Sequence, residues 1–136
     1  MNETILTELD SYVKAALAKK AEGPVLLDVR DLTSIADYFL IVSGRSHRLV
    51  TAIAEHVVKE LKNKNIHPLS VEGLKEGHWV LIDYGDVVIH VFFDSIRRFY
   101  DLESLWIDAK RIRTPAMMSL KDNDDRNGEV DEIFIE

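Results

Sequence analysis

The chain contains no cysteine, and this absence excludes disulfide bonds, thiolate metal sites and cysteine nucleophiles. It also lacks long hydrophobic runs: its apolar stretches fall far short of the roughly 20 residues that a membrane-spanning helix needs. The opening residues, MNETILTELD, have neither the basic and apolar regions of a secretory signal nor the arginines of a mitochondrial presequence. We therefore expect a protein of a reducing, cytoplasmic compartment that makes no membrane contact.

Positive charge is also scarce, since 24 acidic residues outnumber 17 lysines and arginines and give a net charge of −7. Residues 114–136 carry seven acidic and two basic groups, a balance of −5, and residues 1–113 carry 17 and 15, a balance of −2. Without a basic excess the chain has little with which to hold a phosphate backbone. We expect little direct nucleic-acid contact, whereas a protein partner, even one inside a nucleoprotein particle, stays open.

The first half of the chain has the pattern of a mixed α/β domain. Apolar residues at helical spacing predict an amphipathic helix over 3–20, ended by Gly23-Pro24. A second helix is predicted to run to about Asn63, with Ser46 as its N-cap. Between them, VLLDV (25–29) and DYFLIVSG (37–44) are typical of strands, which we expect to be antiparallel because their connection is short.

The second half predicts three more strands and then a change of character. A short strand begins near His67, and HWVLIDYG and DVVIHVFF form a hairpin around Tyr84-Gly85. One or two short helical turns follow over 94–112. We expect one domain over 1–113, an α+β fold with a mixed sheet of about five strands flanked by helices. The acidic stretch 114–136 is predicted to be a flexible tail.

The turn SGRSHR (43–48) is the first candidate for chemistry. Backbone amides between a strand end and a helix start can hold a phosphate, as they do in nucleotidyltransferases. Such an enzyme also needs two or three carboxylates converging on Mg²⁺, and the next strand offers Glu72 alone. We interpret the turn as a capped strand-to-helix connection and keep nucleotidyl transfer as the alternative function.

Histidine and serine offer no clearer catalytic pattern. The five histidines form no His-x-His or His-x-x-x-His pair, and no serine has a Gly-x-Ser-x-Gly context. His90 shares its strand face with Val88 and Phe92, which favours a half-buried core histidine over a metal ligand or a general base. We predict neither a zinc site nor a hydrolase.

The hairpin and the segment after it concentrate aromatic and acidic residues. Strand alternation places Trp79 and Asp83 on one face of their strand and Tyr84 on the other. A sheet with helices on one side leaves its second face to be covered, and large apolar groups there form a patch that soluble monomers seldom carry unused. Tryptophan, tyrosine and arginine also dominate binding energy at protein interfaces. These residue types favour a docking face over a catalytic cleft.

Six motifs, in order along roughly residues 4–110, resemble the ribosomal silencing factor family, also called RsfS or Iojap. The motifs are Asp37-Tyr38-Phe39, Gly44-x-Ser46, Glu72-Gly73, Trp79-Val80-Leu81-Ile82-Asp83, Gly85-Asp86 and Phe99-Tyr100-x-Leu102-Glu103-x-Leu105-Trp106. The resemblance implies a nucleotidyltransferase-like fold that lacks the catalytic carboxylates, with no enzymatic activity and no cofactor.

The resemblance also implies a partner and a mechanism. Family members bind the large ribosomal subunit through its ribosomal protein fourteen, on the face that meets the small subunit. The bound factor blocks subunit association and represses translation. The resemblance further implies a homodimer in the free state, and mitochondrial relatives act in large-subunit assembly. An assembly factor and a homodimerising protein without a ribosomal target are the remaining alternatives.

Carried over position by position, the partner-binding residues are Glu72, Gly73, Trp79, Asp83, Tyr84, Asp86, Tyr100, Leu102 and Trp106. Three aromatic side chains, Trp79, Tyr84 and Trp106, are expected to be desolvated anchors. The carboxylates of Asp83 and Asp86 are expected to meet basic groups of the ribosomal protein. Glycines in the set serve backbone geometry. The family gives no role to the acidic stretch 121–136, which we expect to point away from ribosomal RNA.

Overall fold

The computed structural model describes residues 2–121, which form six strands and five helices. The elements in chain order are α1 (Glu3–Leu17), β1 (Glu22–Asp28), β2 (Tyr38–Gly44), α2 (His47–Lys62), β3 (Ser70–Glu72), β4 (Trp79–Asp83), β5 (Val87–Phe93), α3 (Asp94–Tyr100), α4 (Leu102–Leu105), β6 (Lys110–Ile112) and α5 (Pro115–Lys121). The α+β class with a mixed sheet and flanking helices is confirmed. Among the helices described, none is long and apolar enough to cross a membrane.

The strands form a single sheet in the order β3-β4-β5-β2-β1-β6. The central pair, β2 and β5, is parallel, and the other neighbours are antiparallel, including the predicted β1–β2 pair. Every residue of β2 is buried, because this strand is covered on both faces. The predicted hairpin is confirmed as β4 and β5, and Gly85 supplies the positive φ of +89° in its turn.

Helices α1 and α2 cover one face of the sheet, and the main core lies between them and the strands. The core combines α2 residues such as Ile53 and Val57 with sheet residues such as Leu40 and Ile89. The predicted N-cap of α2 is confirmed, since the Ser46 hydroxyl accepts a hydrogen bond of 3.0 Å from the Leu49 amide.

The opposite face of the sheet carries a second, smaller core. Its buried residues are Leu27, Val29, Ala36, Phe39, Ile41, Val88 and Phe92. Helices α3 and α4 lie over part of this face without burying any residue of their own. Large apolar side chains on this side therefore keep contact with solvent.

The prediction that Gly23-Pro24 ends the first helix is wrong. Helix α1 stops at Leu17, the chain reverses at Lys20 with φ of +66°, and Gly23-Pro24 lies inside β1. The pairing of β1 with β2 shifts register between Glu22 and Val25, so Gly23 and Pro24 form a β-bulge. Proline and glycine suit a bulge as well as a helix end, so the dipeptide alone does not distinguish the two.

The sheet has one strand more than the predicted five. Strand β6 falls in the segment for which we expected only helical turns, and it pairs with β1 as an edge strand. Its residues Lys110 and Arg111 are charged and exposed, as is common on edge strands, so no apolar alternation marks it. Strand β3 begins at Ser70 rather than near His67.

The folded part of the chain extends past the predicted domain boundary at residue 113. Thr114 is buried, and the Ala116 amide donates a hydrogen bond of 3.0 Å to the carboxylate of Asp10 in α1. Met117 of α5 joins the main core. Helix α5 thus belongs to the domain, and the rest of the predicted acidic tail, residues 122–136, lies outside the described residues. The nucleotidyltransferase-like character of the fold stays a prediction.

Candidate partner-binding site

Six aromatic rings form a connected layer on the face of the sheet opposite α1 and α2. We call this layer the aromatic face: Phe39, Trp79, His90, Phe92, Tyr100 and Trp106. Trp79 stacks on Phe92 at 4.7 Å between ring centroids and meets Tyr100 at 5.1 Å. Phe39 packs edge-on against Trp106 at 5.2 Å and His90 at 5.3 Å. Strand register explains the grouping, since Trp79 pairs with Phe92 and side chains of directly opposed residues share a face.

A hydrogen bond between Trp79 and His90 fixes the centre of the aromatic face. The Trp79 indole Nε1 donates to His90 Nδ1 at 3.1 Å. Because an indole can only donate, His90 Nδ1 must be unprotonated and the ring proton sits on Nε2. Burial lowers the pKa of His90 to about 4, so the imidazole is neutral at pH 7. The prediction of a core histidine is confirmed, although His90 is buried rather than half-buried, and its Nδ1 holds the Trp79 indole in place.

The aromatic face becomes more exposed towards α3 and α4. Trp79 and Trp106 are half-buried, Tyr100 is 51% exposed, and Phe99 and Leu105 are 78% and 74% exposed. Leu102 packs half-buried against the second core. Rings held from beneath by the core and open above present apolar area in a fixed orientation. Such a patch is characteristic of a binding surface.

The structure does not bring Tyr84 together with Trp79 and Trp106. Tyr84 lies on the helix-covered face of the sheet, where its ring meets Tyr12 of α1 at 5.4 Å. Its hydroxyl is buried, and burial raises the pKa of Tyr84 to about 12. The alternation of β4 that sends Trp79 to one face sends Tyr84 to the other. Tyr84 is thus a core residue of the main face.

Three predicted acids lie around the β3–β4–β5 end of the sheet. Exposed Glu72 is opposite Leu81 in the β3–β4 ladder and so shares the side of the aromatic face. The Asp83 carboxylate accepts a hydrogen bond of 2.8 Å from the Gly85 amide and holds the hairpin turn. Asp86 is exposed, and its backbone carbonyl accepts from the amides of Asp37 and Tyr38 at 2.8 and 3.0 Å. Glu72 and Asp86 therefore have carboxylates available to a partner.

Gly73 serves the backbone rather than a ligand. Its φ is +90°, and a Cβ atom placed on it would lie 2.2 Å from the carbonyl oxygen of Trp79. No side chain fits there without moving β4, which carries Trp79. Gly73 therefore affects the aromatic face indirectly, because it allows the close approach that places Trp79, the first residue of β4.

The Gly44–Ser46 turn packs against α2 on its inner side. Gly44 is buried, and a Cβ atom on it would lie 3.2 and 3.3 Å from side-chain carbons of Ile53 and Val50. Ser46 is engaged as the cap of α2. Within residues 2–121, no group of three or more His, Cys, Asp or Glu side chains could hold a metal ion. These contacts agree with a capped connection.

Two charged residues outside the predicted partner-binding set link the aromatic face to the rest of the sheet. Arg97 of α3 and Glu103 of α4 form an ion pair of 2.8 Å, with side chains only 13% and 20% exposed. The two residues belong to different helices, so neither helical nor strand periodicity relates them. Phe39 also escaped the site prediction, because a ring in a fully buried strand looks like ordinary core.

Comparisons with known proteins agree with this picture. The family model described as "Ribosomal silencing factor during starvation" matches residues 2–133. The "Ribosomal silencing factor RsfS" of Halalkalibacterium halodurans is 42% identical over 111 residues, which cover 82% of this chain and 95% of that protein. Its Bacillus subtilis counterpart of the same description is 44% identical over 103 residues, covering 73% and 87%.

A solved structure gives the same result for the fold. A crystal structure of a protein from Bacillus halodurans superimposes with a TM-score of 0.70 and 38% identity, and the match covers 79% of this chain and 97% of that one. The family model spans all of the described residues, including every strand of the sheet. The chain therefore belongs to the ribosomal silencing factor family, which has a ribosome-associated role in regulating translation.

Proposed function

We propose that this protein binds the large ribosomal subunit through its ribosomal protein fourteen, blocks association with the small subunit and thereby represses translation. The observation that carries the proposal is the aromatic face itself. It is a connected layer of rings on the side of the sheet that α1 and α2 leave open, in which Phe39, His90 and Phe92 are buried and the other three rings reach solvent. Trp79, Tyr100 and Trp106 are its anchors, and Leu102 supports them from below.

The rings are oriented before any partner arrives. Trp79 is held by Phe92 beneath it and by the hydrogen bond to His90, and Trp106 is held by Phe39. Side chains fixed in this way lose little rotamer freedom on binding, so more of their burial contributes to affinity. Aromatic anchors at interface centres commonly contribute about 2 kcal/mol or more each.

The acids around the face favour a basic partner. Glu72 is exposed on β3 on the side of the aromatic face, and Asp86 is exposed in the β4–β5 turn. We propose that a positive surface on the ribosomal protein meets these carboxylates. Complementary charge of this kind raises the association rate and fixes orientation. Tyr84, which we expected to be a third anchor, contacts Tyr12 in the main core and is left out of the proposed surface.

Occlusion explains how binding becomes repression. A body of 136 residues seated on the subunit interface excludes the small subunit by volume, and no bond is made or broken. The mechanism needs no cofactor. Free in the cytoplasm, the protein is proposed to be a homodimer, and light scattering of the purified protein tests that state.

Alanine substitutions on the aromatic face test the proposal. We expect Trp79→Ala and Tyr100→Ala each to weaken co-sedimentation with purified large subunits at least tenfold, since each removes an aromatic anchor. Met118→Ala is the matched control, because Met118 is 51% exposed, as Tyr100 is, but belongs to α5, which packs against α1 on the other face of the sheet. Met118→Ala should bind as the parent does.

Two results would contradict the proposal. One is undiminished binding by both aromatic variants while their circular dichroism and unfolding transitions match the parent. The other is Mg²⁺-dependent nucleotide incorporation that disappears when Ser46 is changed, which would favour the nucleotidyltransferase alternative.

Parent protein added to ribosomes should also increase free subunits at the expense of intact ribosomes.

A further inference from the structure

Helices α3 and α4 present much of the aromatic face, and their own apolar anchoring consists of the half-buried side chains of Ile96 and Leu102. Together they contain no buried residue. Phe99 and Leu105 point into solvent, and Tyr100 is half exposed. Helices of seven and four residues are too short to be stable by themselves. Two half-buried side chains are a small anchor for this segment, so contacts of another kind are needed to fix it against the sheet.

The Arg97 guanidinium makes that attachment. Its Nη2 donates to the Glu103 carboxylate at 2.8 Å and to the Gly23 carbonyl at 2.7 Å. Its Nη1 donates to the Ser43 hydroxyl at 3.2 Å and the Glu22 carbonyl at 3.4 Å, and Nε reaches Glu103 at 3.2 Å. One side chain on α3 is thus bonded to α4, β1 and β2.

The β1 bulge is shaped to receive this side chain. The register shift between Glu22 and Val25 interrupts the β1–β2 ladder, and Arg97 bonds to the carbonyls of Glu22 and Gly23 at that interruption. A Cβ atom on Gly23 would lie 2.9 Å from Nη1 of Arg97. Glycine at this position therefore leaves the space that the guanidinium occupies.

We propose that Arg97 is the positioning residue of the partner-binding surface: by joining α3 and α4 to the β1 bulge, it keeps Tyr100 and Trp106 against Trp79 and Phe39. The inference rests on the proposed function, because it assigns Arg97 a role in the same surface. Lysine cannot substitute, because its single ammonium nitrogen cannot reach the Glu103 carboxylate and the bulge carbonyls at the same time, as the three nitrogens of the guanidinium do. When the attachment is lost, only the fraction of molecules with the segment in place can bind.

The first test is amide hydrogen exchange followed by mass spectrometry on Arg97→Lys. We expect exchange in residues 94–106 to rise at least tenfold, with protection in β2 and β5 unchanged. Arg98→Lys is the matched control, since Arg98 is the exposed neighbour on the same helix. Unchanged exchange in 94–106, or an equal rise throughout the sheet, would overturn the inference. Glu103→Gln removes the negative charge that pairs with the guanidinium but keeps an acceptor oxygen, so it should raise exchange in α4 by a smaller factor. It replaces Arg97→Lys as the test if that variant does not fold.

The second test is large-subunit binding by the same variants beside Trp79→Ala. Arg97→Lys should weaken binding at least tenfold, and Arg98→Lys should not. If Trp79→Ala loses binding but Arg97→Lys retains it, the positioning role of Arg97 is refuted and the proposed function survives. If Trp79→Ala also binds normally, the proposed surface is wrong and the inference falls with it.

Discussion

At the scale of single residues, the aromatic face depends on a neutral histidine. His90 is buried, and its Nδ1 is the acceptor for the Trp79 indole. His90 Nε2 has no hydrogen-bond partner among the described residues. A charged imidazole would therefore be buried without compensation, which is why its pKa lies so low. His90, which orients Trp79, is therefore also a group that becomes protonated at low pH.

The buried histidine predicts a stability that falls in mild acid. The folded-state pKa of about 4 lies below the ordinary value of 6.5, so the unfolded chain binds the extra proton first as the pH falls. Stability from this group is complete above pH 6.5 and declines towards pH 4, by about 3 kcal/mol in all. Urea unfolding from pH 7.5 to 4.5 measures it.

The control for the pH effect is His90→Gln, in which an uncharged amide oxygen can still accept from the indole. The parent should lose more stability than this variant over the same pH range. Parallel curves for the two proteins, or an imidazole NMR signal of His90 that titrates near pH 6.5, would show that the histidine is not held neutral by burial.

At the scale of secondary structure, β4 is the element that places Trp79, and a glycine turn lies at each end of it. Gly73 and Gly85 have nearly the same φ, +90° and +89°. Their surroundings differ, because a Cβ atom would meet the Trp79 carbonyl at 2.2 Å in the first case and Leu69 Cδ1 at 3.6 Å in the second. Alanine substitutions at Gly73 and Gly85 therefore separate two free-energy costs: that of a positive φ, which both share, and that of a steric clash, which only Gly73 has.

We expect Gly85→Ala to lower the free energy of unfolding by about 1 kcal/mol, the conformational cost of a positive φ. Gly73→Ala carries the same cost and must also displace the start of β4, so it should lose at least about 2 kcal/mol more. Chemical denaturation of both variants measures the difference. Equal losses would mean that β4 does not depend on the close approach at Gly73.

At the scale of the whole molecule, the sequence predicted what strand and helix periodicity control. Helix α2 with its Ser46 cap, the β4–β5 hairpin and the opposite facings of Trp79 and Tyr84 follow from local spacing and turn chemistry. Strand β6 and the β1 bulge did not follow, because charged edge residues and a Gly-Pro pair are compatible with several local structures. The Arg97 attachment joins four elements and has no local signature.

The partner-binding role of the predicted site stays a prediction, but the structure does bring together two of its residues that are distant in sequence. Trp79 from β4 and Tyr100 from α3 do meet. The expectation that Tyr84 lies with them disagreed with the alternation in its own strand, and the structure follows the alternation. Strand parity is therefore a better guide to a shared surface than proximity along the chain.

The most direct measurement of the central proposal is site-specific photocrosslinking on the intact large subunit. A benzophenone amino acid in place of Phe99, which is 78% exposed beside Tyr100, should crosslink to ribosomal protein fourteen. The same group in place of Met118 on α5 should not. A crosslink to protein fourteen from position 118 and none from position 99 would contradict the assignment of the aromatic face as the ribosome-binding surface.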